Sequence, residues 1–256
     1  MPRFSANLGF LWRELPLPEA IRAAKRAGFS AVECHWPYDV PATDVRRSLD
    51  DTDMPMIGIN TRMGINGTAD FGVTAMPGRE EEARRYIDEA VAYGAAIGCQ
   101  NINAAAGKTG GALEAEAVYR ANLSYACEKA ATYGMTVVIE PINLRDAPGY
   151  HVSLLESALK TRAAVGAPNL KVMFDCYHIQ IMQGDLIRRL EACLSQLGHI
   201  QFAGVPAREE PDQGEVNYTN LFAAVDAMGW QGYLGAEYRP HTTTEEGLGW
   251  LRAWSS

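Results

Sequence analysis

The 256-residue sequence has few cysteines, and their spacing does not suggest a disulfide framework. The five cysteines are an odd number, they are far apart, and no Cys-x-x-Cys pair occurs among them. A small secreted scaffold would need an even set of cysteines at regular spacing. The pattern therefore predicts reduced, buried thiols, as expected of a cytoplasmic protein.

Long apolar segments and an excess of positive charge are also missing. No apolar run approaches the length of a membrane span, and residues 1–7 lack the apolar region of a signal peptide. The net charge of −8 opposes the basic surface that non-specific binding to nucleic acid requires. We therefore expect a small-molecule substrate, with no nucleic-acid partner and no membrane partner.

Glycine-rich phosphate-binding turns are the third absence. Neither G-x-G-x-x-G nor G-x-x-x-x-G-K-[ST] occurs, although an open doubly wound sheet usually carries such a turn early in the chain. This absence makes an open doubly wound sheet the less favoured α/β architecture.

The sequence does contain eight short apolar runs that alternate with segments of helical periodicity. The predicted strands are residues 4–8, 31–35, 55–60, 99–103, 137–139, 171–175, 199–203 and 232–237. The predicted helical segments are residues 18–27, 39–49, 80–97, 114–134, 153–165, 184–196 and 220–228, and residues 243–254 close the chain. Alternation of this kind implies parallel pairing, and eight units are the number that closes a (β/α)8 TIM barrel. Because no linker is visible, we predict one barrel domain over residues 1–256.

Polar residues occupy the ends of four consecutive predicted strands. Glu140, Asp175 and Glu237 end strands five, six and eight, and Gln201 lies in strand seven. In such barrels these ends meet at one face, so we expect the four side chains to converge. Converging carboxylates repel one another unless a cation neutralises them, and oxygen ligands favour Mg²⁺ or Mn²⁺ over Zn²⁺. The alternative is that each acid merely caps a helix or pairs with an arginine.

Other polar residues near these strand ends leave two interpretations open. His178, three positions after Asp175, could bind a substrate oxygen or could simply pack or cap a helix. Arg208 follows strand seven and could bind a carboxylate with its planar fork, or could be a solvated surface residue. Glu33 and His35 share one face of strand two, where they could line the site or form a buried polar pair.

Several motifs resemble those of the hydroxypyruvate isomerase family, whose members are xylose-isomerase-like barrels. They are Ile-Glu-Pro-Ile-Asn (139–143), Phe-Asp-Cys-Tyr-His (174–178), His-Ile-Gln-Phe-Ala-Gly-Val-Pro (199–206), Gly-Glu-Val-Asn-Tyr (214–218), Trp-Pro-Tyr (36–38) and Met-Pro-Gly-Arg (76–79). The resemblance spans nearly the whole chain. One departure is that residues 68–72 read Thr-Ala-Asp-Phe-Gly, where the family often has Gly-Glu-Arg-Gly, which leaves the choice of substrate open.

Carried over residue by residue, the resemblance implies metal ligands at Glu140, Asp175, Gln201 and Glu237. It implies that Glu140 and Glu237 form the acid/base pair, and that His178 and Arg208 contact the substrate. The predicted cofactor is a divalent metal, Mg²⁺ or Mn²⁺.

The predicted activity is metal-dependent aldose–ketose isomerisation of a small hydroxy-oxo acid in carbohydrate metabolism. The leading reaction converts hydroxypyruvate to 2-hydroxy-3-oxopropanoate (tartronate semialdehyde) through an enediolate. Alternatives on the same scaffold are a 2-oxo-tetronate isomerase, a ketose 3-epimerase or an inosose dehydratase, and a different class is a non-catalytic barrel that binds a sugar acid. A nuclease on this barrel would need a histidine-rich zinc site and a basic face. The predicted oligomeric state is a homodimer or a homotetramer.

Overall fold

The computed structural model, which describes residues 1–254, contains eight parallel strands that close into a barrel. The strands are β1 (Arg3–Asn7), β2 (Ala31–Cys34), β3 (Met56–Asn60), β4 (Asn101–Asn103), β5 (Thr136–Ile139), β6 (Leu170–Asp175), β7 (Leu197–Phe202) and β8 (Tyr233–Ala236). Each strand pairs with its neighbour in chain order, and β8 pairs with β1. The predicted (β/α)8 barrel is therefore confirmed.

Helices follow the strands around the outside of the barrel. They are α1 (Leu17–Ala27), α2 (Ala42–Thr52), α3 (Glu80–Ile97), α4 (Ala115–Ala131), α5 (Leu155–Val165), α6 (Cys176–Met182), α7 (Leu186–Cys193), α8 (Tyr218–Ala227) and α9 (Gly249–Arg252). Short 3-10 helices lie at Gly67–Ala69 and Leu194–Gln196. Among residues 1–254, none of these helices combines the length and the apolar character that crossing a bilayer requires.

The predicted helices differ from the observed ones in several places. The second helix begins at Ala42 rather than at residue 39, because Pro41 disfavours a helical conformation at the residue before it and lies just outside the first turn. Within residues 243–254, which close the predicted chain of elements, a helix forms over Gly249–Arg252. A separate helix, α6, was not predicted, and it begins directly after β6 because the Asp175 carboxylate accepts a hydrogen bond from the Tyr177 amide at 2.8 Å.

The apolar core lies between the strands and the helices rather than inside the barrel. Outward-facing strand residues such as Phe4 and Phe202 are buried there against Phe222 and Trp250. Their rings meet edge to face, with the Phe4 and Phe202 centroids each 5.2 Å from that of Trp250. This aromatic cluster fastens the last helix to the first and seventh strands.

The interior of the barrel is instead polar. Because side chains alternate along a strand, Ser5, Glu33, His199 and Gln201 all point inward, and all four are buried. The Glu33 carboxylate accepts hydrogen bonds from Ser5 at 3.2 Å and from Gln201 at 2.9 Å, and it lies 3.0 Å from His199 Nε2. Gly235 on β8 leaves room for this group, since a Cβ there would lie 2.1 Å from Glu33 Oε1. The polar layer forms the floor beneath the upper rim of the barrel.

Candidate active site

The four predicted metal ligands lie together at the carboxyl ends of the strands. Glu140 directly follows β5, Asp175 ends β6, Gln201 lies in β7, and Glu237 directly follows β8. The strand register pairs Asp175 with Gln201, and it pairs Gln201 with Gly235, two positions before Glu237. All four side chains are buried. The structure therefore places these four polar side chains at the same end of the barrel.

Arg208 and His178 lie among the carboxylates. Arg208 Nη2 is 2.6 Å from Glu237 Oε2 and 3.5 Å from Asp175 Oδ2. His178 Nε2 is 3.4 Å from Asp175 Oδ2 and 3.7 Å from Glu140 Oε1. The three acids, the guanidinium and the imidazole thus form one cluster.

Arg208 is not a solvated surface residue. Its side chain is only 12% exposed, and its guanidinium lies between two rings, 5.0 Å from the centroid of Phe10 and 4.9 Å from that of Tyr177. Its backbone adopts the left-handed conformation with φ of 59°, which costs a non-glycine residue free energy and recurs at functional sites. The loop after β7 therefore holds the charge of Arg208 in a defined place inside the site.

The three carboxyl groups differ in their affinity for a proton. Burial, reinforced by the charges of Glu237 and Asp175, raises the pKa of Glu140 well above its usual range. Burial also raises the pKa of Asp175 to about 7, although the charge of Arg208 opposes the shift. Burial would raise the pKa of Glu237 as well, but Arg208 and a hydrogen bond from His35 outweigh it and lower that pKa to about 2. Burial and the charge of Arg208 lower the pKa of His178 to about 3, so its imidazole is neutral. One ionised carboxylate thus faces two that retain protons readily.

The donor atoms fit a hard divalent cation. Asp175 Oδ2 and Gln201 Oε1 are buried oxygens that accept no hydrogen bond from the protein, an arrangement that is costly unless another partner satisfies them. Gln201 Nε2 donates to Glu33, so the oxygen of this amide is the atom left for a ligand. Three carboxylates and an amide oxygen are the ligand types that suit Mg²⁺ or Mn²⁺. Glu140, Asp175 and His178 also present atoms within 4.8 Å of one another, an alternative set that includes a nitrogen.

Three residues hold the glutamates in place, and sequence reasoning missed two of them, Asn7 and Asn103. Asn7 Nδ2 donates to Glu237 Oε1 at 2.9 Å, and His35 Nε2 lies 2.7 Å from the same oxygen. Asn103 Nδ2 donates to Glu140 Oε2 at 2.9 Å. The two asparagines end β1 and β4, just as the predicted acids end or follow theirs. Applying the strand-end rule to amides as well as to acids would have found them.

The two polar residues of strand two have different roles. Glu33 belongs to the buried polar floor, where its partners are His199 and Gln201 rather than His35. His35 instead reaches the upper rim, lines the cavity and contacts Glu237. Gly9 permits this position, because a Cβ at residue 9 would lie 2.2 Å from His35 Nδ1.

A cavity of about 320 Å³ opens above the cluster. Its polar floor includes Glu140, His178 and Glu237, and its walls include apolar side chains. Those apolar walls are formed by Phe10, Trp36, Met63, Phe71 and Ile142. This volume suits a small polar molecule, with its reacting atoms against the carboxylates.

The loop between β3 and α3, which departs from the family motif, forms part of the cavity wall. Thr68 and Phe71 line the cavity, whereas Asp70 pairs with Arg79 at 2.8 Å. The hydrogen bond from Arg79 outweighs the effect of burial and lowers the pKa of Asp70 to about 2. The Asp70 carboxylate thus attaches the loop to the start of α3.

Comparison with known proteins agrees with this architecture. The family model described as xylose isomerase-like TIM barrel matches residues 21–254. The chain is also similar to a solved structure described as AP endonuclease, family 2, from Brucella melitensis, with 39% sequence identity, a TM-score of 0.95 and 99% of each chain covered.

Two relatives with assigned activities match over nearly their whole length. The chain is 42% identical over 255 residues to 2-oxo-tetronate isomerase of Cupriavidus necator, with 98% of each protein covered. It is 36% identical over 254 residues to hydroxypyruvate isomerase of Escherichia coli K12, again with 98% of each covered.

Proposed function

The chain belongs to the xylose isomerase-like TIM barrel family, and on this premise we propose that it is a metal-dependent isomerase of a small hydroxy-oxo acid. The expected enzyme class, an isomerase, is confirmed by the named relatives. The metal, the substrate and the roles of individual residues are parts of the proposal.

One observation carries the proposal. Two buried glutamates, Glu140 and Glu237, belong to the same cluster at the bottom of a small cavity, and their hydrogen-bond partners differ. Glu140 is held by Asn103, and Glu237 by Asn7, His35 and Arg208. Two carboxyl groups whose surroundings differ in this way are suited to exchange protons with a substrate held between them. A barrel that only binds a sugar acid would not need two such groups.

We assign the metal to Glu140, Asp175, Gln201 and Glu237, and Mg²⁺ or Mn²⁺ suits these oxygens. When bound there, the cation would supply Lewis-acid polarisation of the substrate carbonyl and its neighbouring hydroxyl, which makes the intervening C–H more acidic.

The protein's own residues perform the proton transfers. One of the glutamates, Glu140 or Glu237, removes a proton from C3 of the 3-hydroxy-2-oxo acid and leaves an enediolate. The other, or the same one after a shift, returns a proton to C2, while the hydroxyl proton passes from O3 to O2. The product is a 2-hydroxy-3-oxo acid, and no oxidant or reductant is needed.

Arg208 and His178 position the substrate in this scheme. Arg208 keeps a buried Nε that has no hydrogen-bond acceptor in the protein, so the guanidinium still has a donor for the substrate carboxylate. His178 lines the cavity and donates to an oxygen on which charge develops in the enediolate. Both residues lie within the cluster, so neither has to move far to reach a bound acid.

The leading substrate is hydroxypyruvate, which would be converted to 2-hydroxy-3-oxopropanoate. A second candidate is 2-oxo-tetronate, favoured by the 42% identity to the Cupriavidus necator enzyme. Both acids carry a carbonyl at C2, and the four-carbon acid differs by one further carbon. The same residues could therefore act on either.

A nuclease function is disfavoured despite the name of the Brucella melitensis protein. Within the described residues, the carboxylate cluster contains a single candidate histidine ligand, and the chain has a net charge of −8. A negatively charged chain repels the phosphate backbone, so such a nuclease would need a basic face that composition does not suggest.

The test is an NMR assay of the Mg²⁺- or Mn²⁺-loaded protein with hydroxypyruvate, and separately with 2-oxo-tetronate, in D₂O. We expect product that carries deuterium at C2, and we expect formation of the product to stop after treatment with EDTA. Turnover with only the four-carbon acid would select the second candidate. No turnover of either acid by the metal-loaded protein would refute the proposed function.

A further inference from the structure

A chain of hydrogen bonds behind His178 involves Asn143 and Asp146. Asn143 is completely buried and lies in the loop after β5, three residues beyond Glu140. Its Nδ2 is 2.7 Å from His178 Nδ1, and its backbone amide is 3.4 Å from the same ring nitrogen. The proposed proton transfers and substrate contacts do not involve this asparagine.

The orientation of the Asn143 amide is determined by Asp146. The backbone N–H of Asp146 donates to Asn143 Oδ1 at 2.8 Å, and Asn143 Nδ2 donates to Asp146 Oδ2 at 3.1 Å. The opposite orientation would place two acceptors against each other and two donors against each other. Tyr177 holds the Asp146 carboxylate in turn, donating to Oδ2 at 2.8 Å.

This orientation decides which ring nitrogen of His178 carries the proton. Because Asn143 Nδ2 faces the ring as a donor, His178 Nδ1 must accept and carries no hydrogen. A neutral imidazole with a free Nδ1 has its proton on Nε2. Nε2 is the atom that faces Asp175 and Glu140 at 3.4 and 3.7 Å.

We propose that Asn143, oriented by Asp146, is a positioning residue that fixes His178 as the Nε2–H tautomer. In this tautomer His178 donates a hydrogen bond to a substrate oxygen and is not a metal ligand, because neither ring nitrogen offers a free lone pair. The inference rests on the proposed function for the identity of the oxygen that accepts the hydrogen bond. The tautomer itself follows from the protein's own hydrogen bonds.

The proposal distinguishes two arrangements of the same cluster. If His178 donates, the cation is bound by oxygens alone, with Gln201 supplying the neutral ligand. If His178 bound the metal through Nε2, its proton would have to lie on Nδ1. The Asn143 amide N–H and the His178 Nδ1–H would then be two donors facing each other. The contacts made by Asp146 exclude a simple rotation of the amide that would relieve this conflict.

The experiment is ¹⁵N NMR of the full chain labelled at its five histidines, with and without Mg²⁺. The resonances of His178 are identified by their loss in His178→Gln. In the wild-type protein we expect Nδ1 in the unprotonated range and Nε2 in the protonated range, and we expect both to remain so when Mg²⁺ is added. A protonated Nδ1, or loss of the Nε2 proton on addition of Mg²⁺, would overturn the proposal even if Asn143→Asp could not be folded.

Asn143→Asp is the informative variant, because it keeps the shape of the side chain and replaces the donor with an acceptor. We expect Nδ1 of His178 to become protonated, and kcat to fall by about 10²-fold or more with a smaller change in KM, as for loss of a donor to a developing oxyanion. Asn217→Asp is the matched control, because the exposed Asn217 caps α8 through its side-chain oxygen alone. It should change neither the His178 resonances nor kcat.

These spectra require no substrate, so the two proposals fail separately. The expected tautomer together with no isomerase activity would support the role of Asn143 and contradict the proposed function. An unchanged His178 spectrum in folded Asn143→Asp would contradict the role of Asn143, whatever the activity.

Discussion

Glu237 has both carboxylate oxygens engaged, since Asn7 and His35 contact Oε1 and Arg208 contacts Oε2. Replacing it by glutamine preserves the size of the side chain but removes its ability to take up a proton. We predict that Glu237→Gln lowers kcat by about 10²- to 10⁴-fold while the circular dichroism spectrum stays unchanged. Exposed Glu81 on α3 provides the control Glu81→Gln, and near-wild-type activity in Glu237→Gln would refute the proton-transfer role.

Arg208 is predicted to recognise the carboxylate of the substrate through its planar fork. Arg208→Lys keeps the charge beside Glu237 and loses the second donor in the plane. We expect KM for the acid to rise by about 10- to 100-fold, corresponding to a charge-assisted hydrogen bond of about 1.5–3 kcal/mol. The affinity for Mg²⁺ should change less.

The comparison for this variant is Arg188→Lys, at a guanidinium that is 79% exposed on α7. If Arg208→Lys and Arg188→Lys had the same KM for the acid, Arg208 would not bind the carboxylate.

At the scale of elements, β8 depends on the absence of a side chain at Gly235. An alanine there would place its Cβ 2.1 Å from Glu33 Oε1 and 2.8 Å from His199 Nε2, so the polar floor would have to move. We predict that Gly235→Ala lowers the free energy of unfolding by about 1–3 kcal/mol, measured by urea denaturation. Gly249→Ala, where the added Cβ meets no atom within 4 Å, is the control. Equal stabilities of the two variants would contradict the prediction.

The ion pair between Asp70 and Arg79, which attaches the loop between β3 and α3, should make the stability of the fold depend on pH. Arg79 lowers the pKa of Asp70 to about 2, below its usual value of about 4 in an unfolded chain. A carboxyl group with a lowered pKa stabilises the folded state above the unfolded-state pKa, and this contribution is lost as the pH falls toward 2. We predict that the stability difference between wild type and Asp70→Asn is largest above pH 5 and shrinks between pH 4 and pH 2.

Unfolding curves of both proteins at several pH values provide the measurement for Asp70. A difference in stability that stays constant from pH 6 to pH 2 would show that the ion pair with Arg79 does not stabilise the fold.

Some strands and helices could be predicted from the sequence, and others could not. Strand ends were predictable wherever an apolar run met an acid and a proline, as at Glu140, because burial and backbone chemistry there agree. Helix α6 was not predicted, since its first turn depends on a capping bond from Asp175 that no periodicity indicates. The polar floor was missed for a related reason: only the closed barrel brings Glu33 on β2 to Gln201 on β7.

For the whole molecule, the proposed cation is predicted to stabilise the fold because its proposed ligands come from four separate strands or strand ends. A ligand that binds only the folded state adds about 2.7 kcal/mol at 100 times its Kd, which corresponds to roughly 5–10 °C in Tm for a chain of this size. We predict that Mg²⁺ or Mn²⁺ raises Tm by several degrees and that EDTA reverses the change.

Asp175→Asn should abolish most of this metal-dependent shift in Tm, and exposed Asp51→Asn should retain it. A shift of the same size in Asp175→Asn would place the cation elsewhere.

The pairing of β8 with β1 also has a consequence for synthesis of the chain. Asn7 and its partner Glu237 are separated by 230 positions, so Glu237 is synthesised long after Asn7. A domain generally folds as a unit, and this one lacks part of its proposed ligand set until Glu237 has emerged. Partly synthesised chains therefore lack the proposed catalytic cluster, which is complete only when the last strand closes the ring.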